Sequence, residues 1–356
     1  MCFLDLGMDT IEKFIVRRRT RPRKCFMWQS CQMSLSAAPP LESPQHVVGH
    51  FSTLLVDQKR EDRMLGVDLW YPAVAPTVAT TYDLIPGIAF TAACAQEGAL
   101  VLEGRYPLII WSHGRTGMRH SYSLLCEALA ARGYIVISCD HPGDTLFDWV
   151  LGKNVDDMTN DHQRLGDVRF CLDGALGSGP EISPWLSDHV DAERICVAGH
   201  SYGGLTALAS VSSLHEFTAD VRVSACVMAQ GYTSILHDEI YATTNVPVLM
   251  LVSNQDLTTR PETNADKAWS LLSARAGVVG EKSRRINLDN AGHQASSDFG
   301  LYAELAPQVE NIPDMLRAYI KMVADDSPGD WLTSWRSTVL RHVVHIDEYL
   351  REIHTL

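Results

Sequence analysis

No stretch of this 356-residue chain reaches the roughly 18 consecutive apolar residues that a membrane-spanning helix needs, so no membrane span is expected and the protein is read as soluble. Positive charge is in deficit: 30 Lys and Arg stand against 43 Asp and Glu, for a net charge of -13. A nucleic-acid partner calls for clustered Lys and Arg across a binding face, and that class is set aside. The nine cysteines contain no C-x-x-C pair, so neither a disulfide framework nor a zinc site is expected. Cys126, Cys139, Cys171, Cys196 and Cys226 stand in apolar runs, which reads as buried thiols in a reducing compartment and points to a cytoplasmic location. There is no internal repeat. What is present, 46% hydrophobic and 21% charged residues, is the composition of an ordinary globular protein with a sizeable core.

Residues 1–45 differ from the rest, with Arg17, Arg18, Arg19, Arg21, Arg23 and Lys24 crowded into eight positions. No apolar run of about 7 to 15 residues follows them, so a secretory signal fits poorly, an organellar address stays open, and the expectation is a flexible extension. From residue 46 onward β-rich runs alternate with helical patterns, the order of a mostly parallel sheet covered by helices on both faces. His46 to Val56 and Met64 to Tyr71 read as an antiparallel pair. Pro107 to Trp111, Tyr134 to Cys139, Arg194 to Ala198, Val223 to Ala229, Val246 to Val252 and Arg285 to Leu288 bring the sheet to about eight strands, several of them continuously apolar as buried parallel strands are. Helices are expected over Tyr122 to Arg132, His162 to Leu176, Leu205 to Leu214 and Thr263 to Ala274. The segments 72–104 and 141–160 carry little regular pattern, and loops that long often form lids or binding loops. The expected organisation is one α/β domain over 46–325, with 141–190 as a lid or cap, and a helical extension over 326–356 that either makes dimer contacts or covers the sheet.

The run Gly199-His200-Ser201-Tyr202-Gly203-Gly204 holds the motif G-x-S-x-G, a weak signal alone. Here Ile195 to Ala198 reads as a buried strand before it and Leu205 to Leu214 as a helix after it, the strand-turn-helix setting of the α/β-hydrolase nucleophile. A serine hydroxyl needs an adjacent base, itself oriented by an acid, in the chain order Ser, acid, His. Six histidines follow Ser201, and His293 is the one in a glycine-containing loop, Asn290-Ala291-Gly292-His293, just after an expected strand. The acid should follow the strand Val246 to Val252. Asp256 occupies that loop, with Asp289, Asp266 and Glu262 as rivals. For the oxyanion of acyl transfer, the backbone N–H groups of Tyr202 and Arg115 are the candidate donors, the latter in the turn Ser112-His113-Gly114-Arg115-Thr116-Gly117. His113, Gly114, His200 and His141 are candidates to line the substrate pocket, with His113 read as a structural loop residue rather than an acid or base. Asp140-His141-Pro142-Gly143-Asp144 reads as a turn at the pocket mouth rather than a metal site, since it lacks the spaced ligands of one.

Taken together, these residues resemble the bacterial group called predicted dienelactone hydrolases and the related platelet-activating-factor acetylhydrolases. The matching pieces are Trp70-Tyr71-Pro72, Tyr106-Pro107-Leu108 through Ser112-His113-Gly114, Leu129-Ala130-Ala131-Arg132-Gly133-Tyr134, Asp140-His141-Pro142-Gly143-Asp144-Thr145, Arg164, Asp167, Asp173, Asp191 to Gly204, Asp256 and Gly292-His293. Authentic dienelactone hydrolases use cysteine where this chain has Ser201. The resemblance spans about residues 46 to 320 and implies a Ser201-Asp256-His293 esterase without cofactor or metal, acting on a small-molecule or lipid-like carboxylic ester. Acyl transfer or amide cleavage on the same triad, a non-catalytic binding protein of the same fold, and a homodimer are the alternatives left open.

Overall fold

The computed structural model describes residues 46–85, 88–308, 314–325 and 331–355. The basic segment expected to be a flexible extension lies outside the described residues. Ten strands form one mixed sheet: β1 (Val47–Asp57), β2 (Arg63–Ala73), β3 (Val78–Ile85), β4 (Ile88–Glu97), β5 (Tyr106–Ser112), β6 (Ile135–Cys139), β7 (Val190–His200), β8 (Ala225–Ala229), β9 (Val248–Ser253) and β10 (Arg284–Leu288). Their spatial order is β10-β9-β8-β7-β5-β6-β2-β1-β4-β3. From β10 to β6 every neighbour is parallel. β2 then joins β6 antiparallel and pairs with β1 as the expected hairpin, Val47 opposite Ala73.

The eight strands read from the sequence are all present, and β3 and β4 are the addition. They occupy the segment 72–104 that seemed patternless. In β3, Thr80 and Tyr82 face the core while Ala79, Thr81 and Asp83 face water, so a period of two exists but is carried by small and polar residues. With one face in solvent, an edge strand has no need of the continuous apolar run that marks β5 or β9.

Alternation along the central strands sends side chains to two cores. Leu108 and Ile110 face one, which is closed by α3 (Asp157–Ala175) and α5 (Tyr202–Ser210) through Leu165, Val168, Leu172, Leu205 and Leu208. Ile109 and Trp111 face the other, closed by α1 (Ser123–Ala130) and the C-terminal α11 (Trp331–His354). Val339, Val343, Ile346 and Leu350 of α11 are fully buried at helical spacing, so this helix covers the sheet. Between these elements lie α2 (Leu146–Val150), α4 (Leu186–His189), α6 (Asp238–Thr243), α7 (Ala265–Ser273), α8 (Val278–Lys282), α9 (Phe299–Leu305) and α10 (Asp314–Asp325). The architecture places the ends of β5, β7, β9 and β10 along one edge, where ligands bind in open α/β sheets.

Candidate active site

β7 ends at His200, and the chain reverses into α5 through Ser201, whose φ of 55° and ψ of -118° lie outside the ordinary wells for a side-chain-bearing residue. Such a conformation costs on the order of 1–3 kcal/mol and persists only where its surroundings hold it. Here the Ser201 N–H donates to the Ala229 carbonyl at 3.0 Å, and the Ser201 carbonyl accepts from Tyr232 at 2.9 Å. The flanking glycines follow from close approach: a Cβ on Gly203 would lie 2.0 Å from the Ser112 carbonyl oxygen, and one on Gly199 would lie 2.2 Å from that of Gly203.

The turn aims Ser201 Oγ at His293 Nε2, 3.0 Å away. His293 stands in the loop after β10, and its Nδ1 lies 2.9 Å from Asp256 Oδ2. Asp256, in the loop after β9 and only 3% exposed, also accepts from the Thr258 and Thr259 N–H groups at 2.9 and 2.7 Å and from Thr259 Oγ1 at 2.7 Å. Burial alone would raise its pKa, but the bonds from His293 and Thr259 outweigh it and hold the carboxyl below its usual range. An ionised Asp256 fixes the proton of His293 on Nδ1 and leaves Nε2 free to accept from Ser201. Of the rivals, Asp289 accepts from Asn254 and Asp266 pairs with Arg285.

Across from the imidazole, the loop after β5 brings Gly114 and Arg115 to the serine. A Cβ on Gly114 would sit 3.2 Å from Ser201 Cβ. The N–H groups of Arg115 and Tyr202 have no hydrogen-bond partner among the described residues. Gly114, Arg115, His200, Ser201 and His293 line a cavity of about 80 Å³ whose walls are otherwise largely apolar, formed by Met118, Tyr122, Leu146, Phe299, Tyr302 and Tyr319 among others. Within the span 141–190, Leu146 is the residue that lines the cavity among the described residues; α9 and α10 supply more of its cover. Tyr319 reaches from α10 to Thr116, with the two hydroxyls 2.7 Å apart.

The model of the family described as platelet-activating factor acetylhydrolase, isoform II, matches residues 79–164 and 175–307, more than half of the chain. The chain belongs to that family. A platelet-activating factor acetylhydrolase of Gallus gallus is 24% identical over 238 residues, covering 55% of this chain and 53% of the relative. A probable 1-alkyl-2-acetylglycerophosphocholine esterase of Arthroderma benhamiae is 30% identical over 139 residues, covering 35% and 31%. The chain thus spans about half the length of the first of these relatives and less of the second. Among solved structures, a ferulic acid esterase from Streptomyces cinnamoneus superposes with a TM-score of 0.61 at 22% identity, covering 89% of this chain and 92% of that one, which establishes a shared fold.

Not every residue singled out in this acetylhydrolase-family chain faces the cavity. His113 and His141 are buried, and their ring nitrogens are taken up by the protein. His113 Nδ1 lies 2.7 Å from the Gly114 carbonyl and its Nε2 accepts from the His141 N–H at 3.1 Å, while His141 bridges Ser112 Oγ at 2.9 Å and Asp167 at 3.0 Å. Burial pushes the pKa of His141 down to about 4 and that of His113 well below the usual value, so both rings are neutral scaffolding under the loop. Nor do the acids of the 140–144 turn converge on a common point, since Asp140 pairs with Arg119 and Asp144 with Arg164. His200 lines the cavity and is also held by protein on both nitrogens.

Sequence reasoning missed Thr259, Tyr122 and Asp298. Thr259 had a local signal, because an aspartate followed by hydroxyl residues two and three places on is an Asx-turn pattern. Tyr122 bonds His200 across 78 residues of sequence, and Asp298 accepts from the Ser123 N–H and hydroxyl at the start of α1 across 175, with nothing nearby to announce them.

Proposed function

We propose that this chain hydrolyses carboxylic esters through an acyl-enzyme on Ser201. The observation that carries the reading is the unbroken line Ser201 Oγ, His293 Nε2, His293 Nδ1, Asp256 Oδ2, with steps of 3.0 and 2.9 Å, opening on an apolar cavity. In this mechanism His293 takes the hydroxyl proton as Ser201 attacks the ester carbonyl, and ionised Asp256 stabilises the imidazolium that forms. The N–H groups of Arg115 and Tyr202 donate to the oxyanion of the tetrahedral intermediate. His293 then protonates the departing alcohol, and a water molecule deprotonated by His293 releases the acid and restores Ser201. No step calls for a cofactor or metal. The apolar walls, together with relatives named as a platelet-activating factor acetylhydrolase and a probable 1-alkyl-2-acetylglycerophosphocholine esterase, favour a small or lipid-like ester.

A panel of p-nitrophenyl esters from C2 to C12 tests this, run on the wild type and Ser201→Ala. Turnover that disappears in the variant, together with covalent capture of Ser201 by a fluorophosphonate, supports the reading. A Ser201→Ala protein as active as the wild type, or an intact protein that cleaves none of the esters, overturns it.

A further inference from the structure

Tyr122 and His200 are buried polar residues to which the mechanism above gives no role, yet they lie between the loop of Gly114 and the loop of His293. The Gly114 N–H donates to Tyr122 Oη at 3.2 Å, Tyr122 Oη lies 2.7 Å from His200 Nδ1, and His200 Nε2 lies 2.8 Å from the His293 backbone oxygen. Chemistry assigns every proton along this line. A carbonyl oxygen can only accept, so His200 Nε2 carries the hydrogen. Burial drives the His200 pKa down to about 3, the ring is neutral, and Nδ1 must accept from the Tyr122 hydroxyl. That leaves the Tyr122 oxygen free to accept from Gly114. The four groups make one directed chain from the loop that presents the Arg115 N–H to the loop that presents the His293 imidazole. Contact geometry tightens it: a Cβ on Gly114 would lie 3.1 Å from His200 Nδ1, and the His200 and His293 rings are 4.7 Å apart between centroids.

We propose that Tyr122 and His200 are positioning residues that hold the oxyanion loop and the base loop in mutual register around Ser201. The inference rests on the ester-hydrolase reading. Acyl transfer needs the base and the oxyanion donors aimed at one substrate at once, and a displacement of about 1 Å between such groups can cost on the order of a hundredfold in rate. A chain of neutral hydrogen bonds sets that register without adding a second charge beside the imidazolium of His293.

The test pairs kinetics with a measurement that needs no substrate. Tyr122→Phe removes the first two of the three bonds without adding volume, and Tyr71→Phe is its control, because the Tyr71 hydroxyl donates to the Ala99 carbonyl at 2.7 Å in the opposite core. Tyr122→Phe is expected to lower kcat on p-nitrophenyl acetate by about tenfold or more with KM within about twofold, whereas Tyr71→Phe lowers the melting temperature and leaves kcat alone. His200→Gln, which keeps a donor and an acceptor, should retain more activity than His200→Leu. Adding Tyr122→Phe to His200→Leu should cost little further, since both break one chain. A Tyr122→Phe protein with kcat within twofold of wild type, or losses that multiply in the double variant, overturns the proposal. Independently, the ¹⁵N shifts of His200 in the wild type should report a neutral ring protonated on Nε2; protonation on Nδ1 overturns the proposal whatever the activity. Loss of turnover in Ser201→Ala is read separately, so failure of the underlying esterase reading is distinguishable from failure of this one.

Discussion

The two loops that meet at Ser201 are held in different ways. Around the His293 ring, the two bonds that matter to the chemistry change during it, because the imidazole must gain and lose a proton between Ser201 and Asp256. The loop from Ser112 to Met118 rests instead on a buried raft of fixed charge. Arg164, with a fully buried side chain, donates to the His113 carbonyl at 2.7 Å and to Asp144 at 2.7 Å, while the Asp144 carbonyl takes the Thr116 N–H. Beneath it His141 is clamped to Asp167, which also pairs with Arg60 and Arg63. One side is built to change charge, and the other to keep a backbone still.

Substitutions on the two sides should therefore fail differently. The largest effect is expected for Ser201→Ala and His293→Ala, each lowering kcat by at least about a thousandfold with a melting temperature near wild type, measured by ester turnover and calorimetry. Arg164→Met removes the cation under the opposite loop and leaves the buried Asp144 with its bonds from Asn160 and Trp149 but without its ion pair. It should destabilise the fold by about 3–5 kcal/mol in urea unfolding. A stable, fully active Arg164→Met protein would erase the difference between the two loops.

Two smaller effects sharpen it. Asp167 has its pKa held at about 2, because the bonds from Arg63 and His141 outweigh the opposing burial; an unfolded aspartate titrates near 4. The folded state thus binds the proton less readily, so the stabilisation from Asp167 is complete above about pH 5 and is lost as pH falls toward 2, about 2 kcal/mol in all. Asp167→Asn should flatten that part of the curve of stability against pH. On the other side, Thr259→Val deletes the hydroxyl that bonds Asp256. It should reduce kcat about tenfold, which is about 1.4 kcal/mol in the barrier, with little change in KM.

The same contrast separates what could be read from the chain and what could not. Ser201 and Asp256 can be read because each follows an apolar strand whose pattern is local, whereas His293 follows the short and mostly polar β10 and is marked by the glycine beside it. Arg164 and Asp167 were noticed as matches to a family but gave no sign of their partners, since Asp167 meets Arg60 and Arg63 across more than a hundred residues. His113 and His141 looked like pocket residues because a polar ring beside a motif suggests a ligand, and burial is what assigns them to the scaffold. β3 and β4 lack an apolar run because β3 is a half-solvated edge strand and β4 pairs with it at that end of the sheet, where Thr, Ala and Asp are tolerated. The short helix α2 has a readable start, a capping box between Thr145 and Asp148, inside the segment 141–160 expected to be a lid or binding loop.

The dihedral angles of Ser201 set thermal robustness against turnover in any engineering of this chain. Glycine accepts a φ of 55° at little cost, so Ser201→Gly should melt higher than the wild type while abolishing acyl transfer. A library sorted for heat resistance alone would be drawn toward glycine at this position and fill with inert proteins. Directed evolution here has to score catalysis in every round.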